Sequence, residues 1–247
     1  YLEKLCASRA DFVLTNSQYL ARAYHSELGL SHSRIASHPL PFEVPEILRE
    51  NSDDQKTDGT VTVLYVGRLE HPKGTDLLLA ALEKVRDRFA AVRCVLIGTA
   101  EGEFENLLDA FLESNAEWVT HTGALSQTEV FKHMACADVL VLPSRTESMG
   151  RTLIEAQSLG LPQVATRVGG IPEVVQDGIT GILTKGGDVT ELAEAILVLC
   201  QDAELRARMA AASRLSARRK FDIAHIMSKQ LSLYQDIANG NSIDGFS

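Results

Sequence analysis

Cysteine is scarce in this chain, and what there is has the wrong spacing for metal or disulfide chemistry. Cys6, Cys94, Cys136 and Cys200 include no C-x-x-C pair, which argues against a zinc site and against a dense disulfide framework. They read as buried or free thiols of a reducing compartment, the cytoplasm. Long apolar runs are also missing. The longest, residues 77–82 and 196–200, fall far short of the roughly 18 needed to span a bilayer. Positive charge is in deficit, with a formal net charge of -9. Attraction to a phosphate backbone would therefore need a local basic patch working against the overall field, so nucleic acid is not an expected partner. The opening residues 1–11 carry Glu3, Lys4, Arg9 and Asp11 where a signal peptide would have its apolar core, and the chain reads as a piece of a longer protein.

Several catalytic signatures are absent too. There is no G-x-S-x-G elbow, no P-loop and no G-x-G-x-x-G after a strand, which counts against hydrolase, NTPase and dinucleotide-dehydrogenase readings. His71, His121 and His133 have no second histidine at ligand spacing, so each reads as structural or solvated and no metal is expected. Internal repeats and low-complexity blocks are absent.

The chain does contain an alternation. From Thr60 onward, short apolar segments (VTVLYVG, RCVLIG, WVTHTG, ADVLVLP, PQVATRVGG) alternate with helical patterns over residues 77–88, 104–114, 127–135 and 150–159. This predicts an α/β fold, a doubly wound parallel sheet with helices on both faces. Residues 60–220 form that Rossmann-like domain. Before it, residues 11–15 and the run RIASHPLPF suggest two strands around a helix capped at Asn16 or Ser17, too little to close a core alone. Residues 1–44 are therefore a separate piece, joined by a polar linker over 45–59. Residues 188–238 read as almost wholly helical. In the C-terminal extension, 221–247, a last helix places Ile223, Ile226, Met227, Leu231 and Tyr234 mostly on one face, which needs a partner surface.

Ligands of open parallel sheets bind beyond the carboxyl ends of the strands, and the candidate residues concentrate there. After VTVLYV come Gly67, Arg68, Lys73 and Gly74, a turn whose two cations suit a diphosphate. Taken alone they are as well explained as solvated loop charges. After ADVLVL, Glu147 and Glu155 stand eight residues apart across a loop and a helix start near Gly150. Free N–H groups and the positive dipole end at that start would seat a pyrophosphate, and the carboxylates would accept from vicinal hydroxyls. Gly169 and Gly170 permit a tight turn or close backbone approach. Glu173 is equally a first-turn glutamate satisfying the local dipole.

VGRL at 66–69 with Lys73 and Gly74, followed by the long run PSRTESMGRTLIEAQSLGLPQVATRVGGIPEVVQDGITGIL at 143–183, resembles glycosyltransferase family 4 and its GT-B relatives. The resemblance covers most of 60–183 in order and spacing. It implies the C-terminal, donor-binding domain of a retaining, metal-independent hexosyltransferase-type enzyme with a UDP-, GDP- or ADP-linked sugar as donor substrate and no further cofactor. Carried over position by position, Arg68 and Lys73 would hold the diphosphate, Glu147 the sugar and Glu155 the ribose. The backbone of Ser148, Met149, Gly150, Arg151, Thr152 and Leu153 would line the phosphate and sugar pocket. Gly98, Thr99 and residues His121 to Gly123 would lie near the base. Arg68, Lys73 and Glu147 are the expected catalytic residues. Met149 stands where the family usually has an aromatic residue, and Gln157 where an apolar one is usual.

Residues 10–41 resemble the last strand-helix-strand unit of the family's N-terminal domain, and 222–237 the final helix that crosses back to it. The resemblance thus implies a partner, the rest of the acceptor-side domain, in cis or in trans. Were the acceptor a lipid, peripheral membrane association would follow. Rival readings are a binding module serving a separate acceptor chain, a nucleotide-sugar epimerase of the same fold, and a structural interaction protein that binds no nucleotide.

Overall fold

The computed structural model describes residues 6–7, 9–43 and 59–241; of the expected linker, all but Gly59 lies outside the described residues. Six strands form one parallel sheet: β3 (Val61–Val66), β4 (Val92–Ile97), β5 (Val119–His121), β6 (Val139–Leu142), β7 (Gln163–Thr166) and β8 (Gly181–Thr184). Their spatial order is β5-β4-β3-β6-β7-β8, with every pairing parallel. Four of the six residues of β3 are buried, as are all four of β6 and all four of β7. A strand covered by helices on both faces has no need for polar alternation, so these segments read as continuous apolar runs. The doubly wound α/β expectation is met.

β8 is the strand that the sequence did not disclose. Residues 177–181, Asp-Gly-Ile-Thr-Gly, have the composition of a tight turn; residues 178–180 do turn, and Gly181 then opens a strand paired with β7 in the register Gln163↔Gly181 to Thr166↔Thr184. Gly181 is required by closeness: a Cβ there would lie 2.4 Å from the Gln163 carbonyl oxygen.

Helices α2 (Thr75–Arg88), α3 (Glu103–Asn115), α4 (Gln127–Cys136), α5 (Arg151–Leu159) and the short α6 (Ile171–Val174) connect the strands. The tail folds as α7 (Val189–Gln201), α8 (Ala203–Lys220) and α9 (Ile223–Ala238). Local chemistry sets their starts. Ser126 and Glu129 form a reciprocal capping box at α4, and Asp188, Asp202 and Asp222 cap α7, α8 and α9 with their carboxylates, each satisfying first-turn N–H groups left without partners. On α9 the packed residues are Ile226 and Leu233; Ile223, Met227, Leu231 and Tyr234 stay exposed. The expected apolar face is thus split, with only Ile226 of its members buried.

The N-terminal piece is a two-stranded parallel pair, β1 (Val13–Thr15) and β2 (Ile35–Ser37), around α1 (Gln18–Leu28). Its small core holds Ala7, Ala21, Leu30 and Ile35. Glu173 ties it to the main domain. The Gln18 and Tyr19 N–H groups donate to Glu173 Oε2 and Oε1 at 2.8 and 2.6 Å. Glu173 stands in the first turn of α6 as expected, and its carboxylate also serves the start of α1, 155 and 154 positions away in sequence. Phe42 extends the attachment: its N–H donates to the Phe221 carbonyl at 2.9 Å and its ring meets Phe131 edge-on at 5.6 Å.

Candidate functional site

Strand order reverses between β3 and β6, the first and fourth strands of the sheet in sequence. There the connections leave in opposite directions and a crevice opens at the carboxyl ends. The loop following β3 carries Gly67 to Gly74 and the loop following β6 carries Pro143 to Gly150. The two loops highlighted by the sequence are therefore the two walls of the switch point.

Three contacts hold the walls together. Lys73 Nζ donates to Glu147 Oε2 at 2.6 Å, with the carboxylate 12% exposed. Arg145 grips Asp76 with both nitrogens of its fork, 2.7 and 2.6 Å, and also donates to the His71 carbonyl at 2.9 Å. This bidentate pairing holds Asp76 below the ordinary carboxylate range, chiefly through the Arg145 hydrogen bonds. The Arg145 N–H, finally, donates to the Pro72 carbonyl at 2.9 Å. Sequence reasoning assigned neither Arg145 nor Asp76 a role. The only local signal was an acidic residue in the first turn of α2.

Gly74 lies between the walls with φ +70°, and a Cβ there would stand 2.0 Å from the Pro143 carbonyl oxygen. A third loop, after β7, supports Glu147 from behind. Gly169 takes φ +55°, where a Cβ would come within 1.8 Å of the Glu147 carbonyl oxygen, and the Gly170 N–H donates to that same oxygen at 3.0 Å. Both readings of the glycine pair hold: the Ile171 N–H closes a turn on the Val168 carbonyl at 3.1 Å, and the pair approaches a neighbouring loop's backbone closely.

The other candidates divide. Arg68 is largely exposed and spends one nitrogen on Glu70 Oε1 at 2.9 Å; its carbonyl accepts from the buried Tyr65 hydroxyl at 2.7 Å, which props the turn. Gly150 starts α5 with φ 85°, and among the described residues no side chain caps the N–H groups of its first turn. Glu155, one turn further, is 7% exposed and accepts from Arg151 Nε at 3.0 Å. Burial raises its pKa, against the lowering effect of Arg151. At Leu153 the side chain is fully buried and the N–H donates to the Gly150 carbonyl at 3.0 Å. Met149 is 2% exposed and lines a cavity shared with the N-terminal piece and α9. Gln157, where the family pattern is apolar, is fully buried and donates to the Val174 carbonyl at 3.1 Å.

Gly98, Thr99 and Gly123 sit at the neighbouring strand ends and are joined through backbone. Gly98 N–H donates to the Gly123 carbonyl at 2.9 Å, Leu69 N–H donates to the Thr99 carbonyl at 2.8 Å, and His121 Nε2 lies 2.8 Å from the Gly98 carbonyl oxygen. Among the described residues, no group of three or more His, Cys, Asp or Glu side chains is placed to hold a metal ion, and no helix is long and apolar enough to cross a membrane.

Residues 60–202 match the family described as Glycosyl transferases group 1, more than half of the chain. The chain belongs to the group 1 glycosyl transferases. Among curated relatives of this group, a GDP-mannose-dependent monoacylated alpha-(1-6)-phosphatidylinositol monomannoside mannosyltransferase of Corynebacterium glutamicum is 29% identical, aligned over 84% of this chain and 57% of its own length. A D-inositol 3-phosphate glycosyltransferase of Pseudarthrobacter chlorophenolicus is 31% identical over 83% of this chain and 51% of its own. The chain thus spans about half the length of these relatives. Among solved structures, Anabaena HepE in complex with UDP superposes with a TM-score of 0.80 at 24% identity, over 92% of this chain and 64% of that one. The C-terminal domain of a glycosyl transferase group 1 family protein from Francisella tularensis superposes at 0.61 and 19% identity, over 74% of this chain and 96% of that domain. The fold is that of the Rossmann-like C-terminal half of a GT-B group 1 transferase.

Proposed function

We propose that this chain is the donor half of a retaining hexosyltransferase and that the crevice between the β3 and β6 loops holds a nucleoside-diphosphate sugar. The observation that carries this reading is the Lys73–Glu147 contact of 2.6 Å across the switch point, beside the uncapped start of α5. An ammonium has three donors; Glu147 takes one, leaving two for a phosphate. Arg68, mostly exposed and with its side chain bonded among the described residues only to Glu70, offers the rest of its fork to the same diphosphate. The α5 terminus adds first-turn N–H groups and a positive dipole end.

In this reading the sugar–phosphate bond breaks with negative charge growing on the departing nucleoside diphosphate. Arg68, Lys73 and the helix start stabilise that charge as it develops. Glu147 positions Lys73 and accepts hydrogen bonds from the sugar, while Glu155, largely buried with one oxygen on Arg151, receives the ribose hydroxyls on the other. A UDP complex is known for HepE and GDP-mannose dependence for the corynebacterial relative; both are nucleotide sugars or their products, in keeping with this site. Acceptor-side chemistry belongs to the rest of the GT-B architecture.

The test is transfer or donor hydrolysis by wild type and by Lys73→Ala, each supplied with the acceptor-side domain in trans. Turnover falling much further than thermal stability supports the reading. Equal turnover in the two contradicts it.

A further inference from the structure

Lys73 ends a three-residue turn of 3-10 helix, His71–Lys73. Two hydrogen bonds close it: the Lys73 N–H donates to the Glu70 carbonyl at 3.1 Å and the Gly74 N–H to the His71 carbonyl at 3.0 Å. A turn this short does not hold its shape alone, because ordering it fixes several dihedrals for little hydrogen bonding in return. The ammonium it carries sits on a flexible four-carbon stem. Where that ammonium comes to rest therefore depends on what grips the turn from outside.

Arg145 supplies the grip. It stands two residues before Glu147 on the loop after β6. Its main-chain N–H donates to the Pro72 carbonyl and its Nη1 to the His71 carbonyl, so one residue of the opposite wall holds the carbonyls of both residues before Lys73. Nη1 and Nη2 also donate to Asp76 Oδ1 and Oδ2, which ties the first turn of α2, on the other flank of Lys73, to the same guanidinium. The segment carrying Arg145 is itself anchored from behind. The Ser144 carbonyl accepts from the buried Thr166 hydroxyl of β7, and Gly74 lies so close to Pro143 that a Cβ would stand 2.0 Å from its carbonyl oxygen. Three guanidinium bonds are thereby committed, of about five that the group can donate, and Asp76 meets its charge. Arg145 is arranged to hold the turn and not to hold a phosphate.

We propose that Arg145 is a positioning residue that fixes Lys73 opposite Glu147 before any ligand arrives. One loop then orders Lys73 twice over, its backbone through Arg145 and its side chain through Glu147. A donor ordered in advance loses none of its binding free energy to being ordered by the ligand. That the ordered ammonium serves a diphosphate rests on the donor reading of the crevice; the ordering itself does not.

Competitive acetylation of the lysines by acetic anhydride, read by mass spectrometry on the chain without nucleotide, tests the ordering. Lys84, exposed on α2, is the internal reference, and Glu147→Gln, which removes the ammonium's partner, sets the upper limit. Relative to Lys84, Lys73 in Arg145→Ala should be acetylated at a rate approaching that in Glu147→Gln. Arg88→Gln, which breaks the Arg88–Glu194 pair at the far end of α2, should match wild type. Asp76→Asn, which leaves the main-chain bond of Arg145 in place, carries the same comparison should Arg145→Ala fail to fold. Calorimetric titration with UDP, GDP and ADP then reads the consequence. Arg145→Ala is expected to weaken the nucleotide that wild type binds roughly tenfold, as the loss of a charge-assisted contact would. Lys73→Ala should add little in the Arg145→Ala background, because residues that act through one another are not additive. Wild-type acetylation of Lys73 in folded Arg145→Ala, or effects of the two substitutions on affinity that simply multiply, overturns the proposal. If no nucleotide binds the wild type, the donor reading fails and the acetylation result alone decides for or against Arg145.

Discussion

Lys73 and Glu147 are 74 positions apart and meet at 2.6 Å, each at the end of a loop that leaves the sheet on its own side of the reversal in strand order. The ammonium and the carboxylate are both largely shielded, at 26% and 12% exposure. In the proposed reading, the ammonium's two remaining donors serve the diphosphate.

Lys73→Ala removes a charge-assisted interaction with the ligand, worth about 1.5–3 kcal/mol for hydrogen bonds to charged groups. Nucleoside-diphosphate affinity is therefore expected to fall roughly 10- to 100-fold by calorimetry. In urea denaturation, Lys73→Ala and Glu147→Gln should combine to cost less than the sum of their separate effects, because each removes the same contact.

Glu155 is buried with a raised pKa, so its charge is a burden on folding at neutral pH. The folded form binds its proton more tightly than the unfolded chain, for which the ordinary value is about 4.3. The penalty is full above the raised folded value and fades as pH falls through it towards the unfolded one. Glu155→Gln is expected to match or exceed wild-type stability at pH 7, with the difference shrinking in acid, while nucleotide affinity drops. Thermal melts from pH 4 to 8 (roughly the range spanned by that titration) alongside nucleotide titrations check both halves.

The Arg145–Asp76 pair acts with the opposite sign. Arg145 holds the Asp76 carboxyl below its ordinary value, so its stabilisation is fully present above the unfolded value of about 3.9 and is lost as pH falls through the lowered folded one. Asp76→Asn should destabilise the protein at neutral pH and converge with wild type in strong acid. Arg145→Lys should not rescue the pair, because the two-pronged geometry is gone. Urea midpoints followed against pH distinguish this from a simple packing loss, which would be pH-independent.

Gly169→Ala combines a left-handed backbone with a Cβ only 1.8 Å from the Glu147 carbonyl oxygen. Overpacking and backbone strain each cost about 1–3 kcal/mol, so a loss of at least about 2 kcal/mol is expected in chemical denaturation. Nucleotide affinity should fall with it, since the displaced segment carries Glu147.

Much of this fold was legible because its strands are buried on both faces and so appear as dense Val, Leu and Ile runs, VTVLYV and VLVL above all. β8 was hidden by its opening glycine and by the turn residues directly before it. The glutamates and cations could be read from their place after strands, and the start of α5 at Gly150 from the loop before it. Arg145–Asp76 could not, because two residues 69 positions apart reveal their pairing only once β3 and β6 lie side by side. The first-turn place of Glu173 was legible, but its bonds to Gln18 and Tyr19 were not, for they join an element that the local pattern around it does not mention.

The central claim is that the crevice between the β3 and β6 loops binds a nucleoside-diphosphate sugar. Its most direct test is calorimetric titration of the chain, without added metal, with UDP, GDP, ADP and their sugars, repeated on Glu155→Ala. Tight binding of one base, abolished or strongly weakened by Glu155→Ala, is the predicted result. Failure of all of them to bind the wild-type chain at millimolar concentration, or equal binding by wild type and Glu155→Ala, would contradict it.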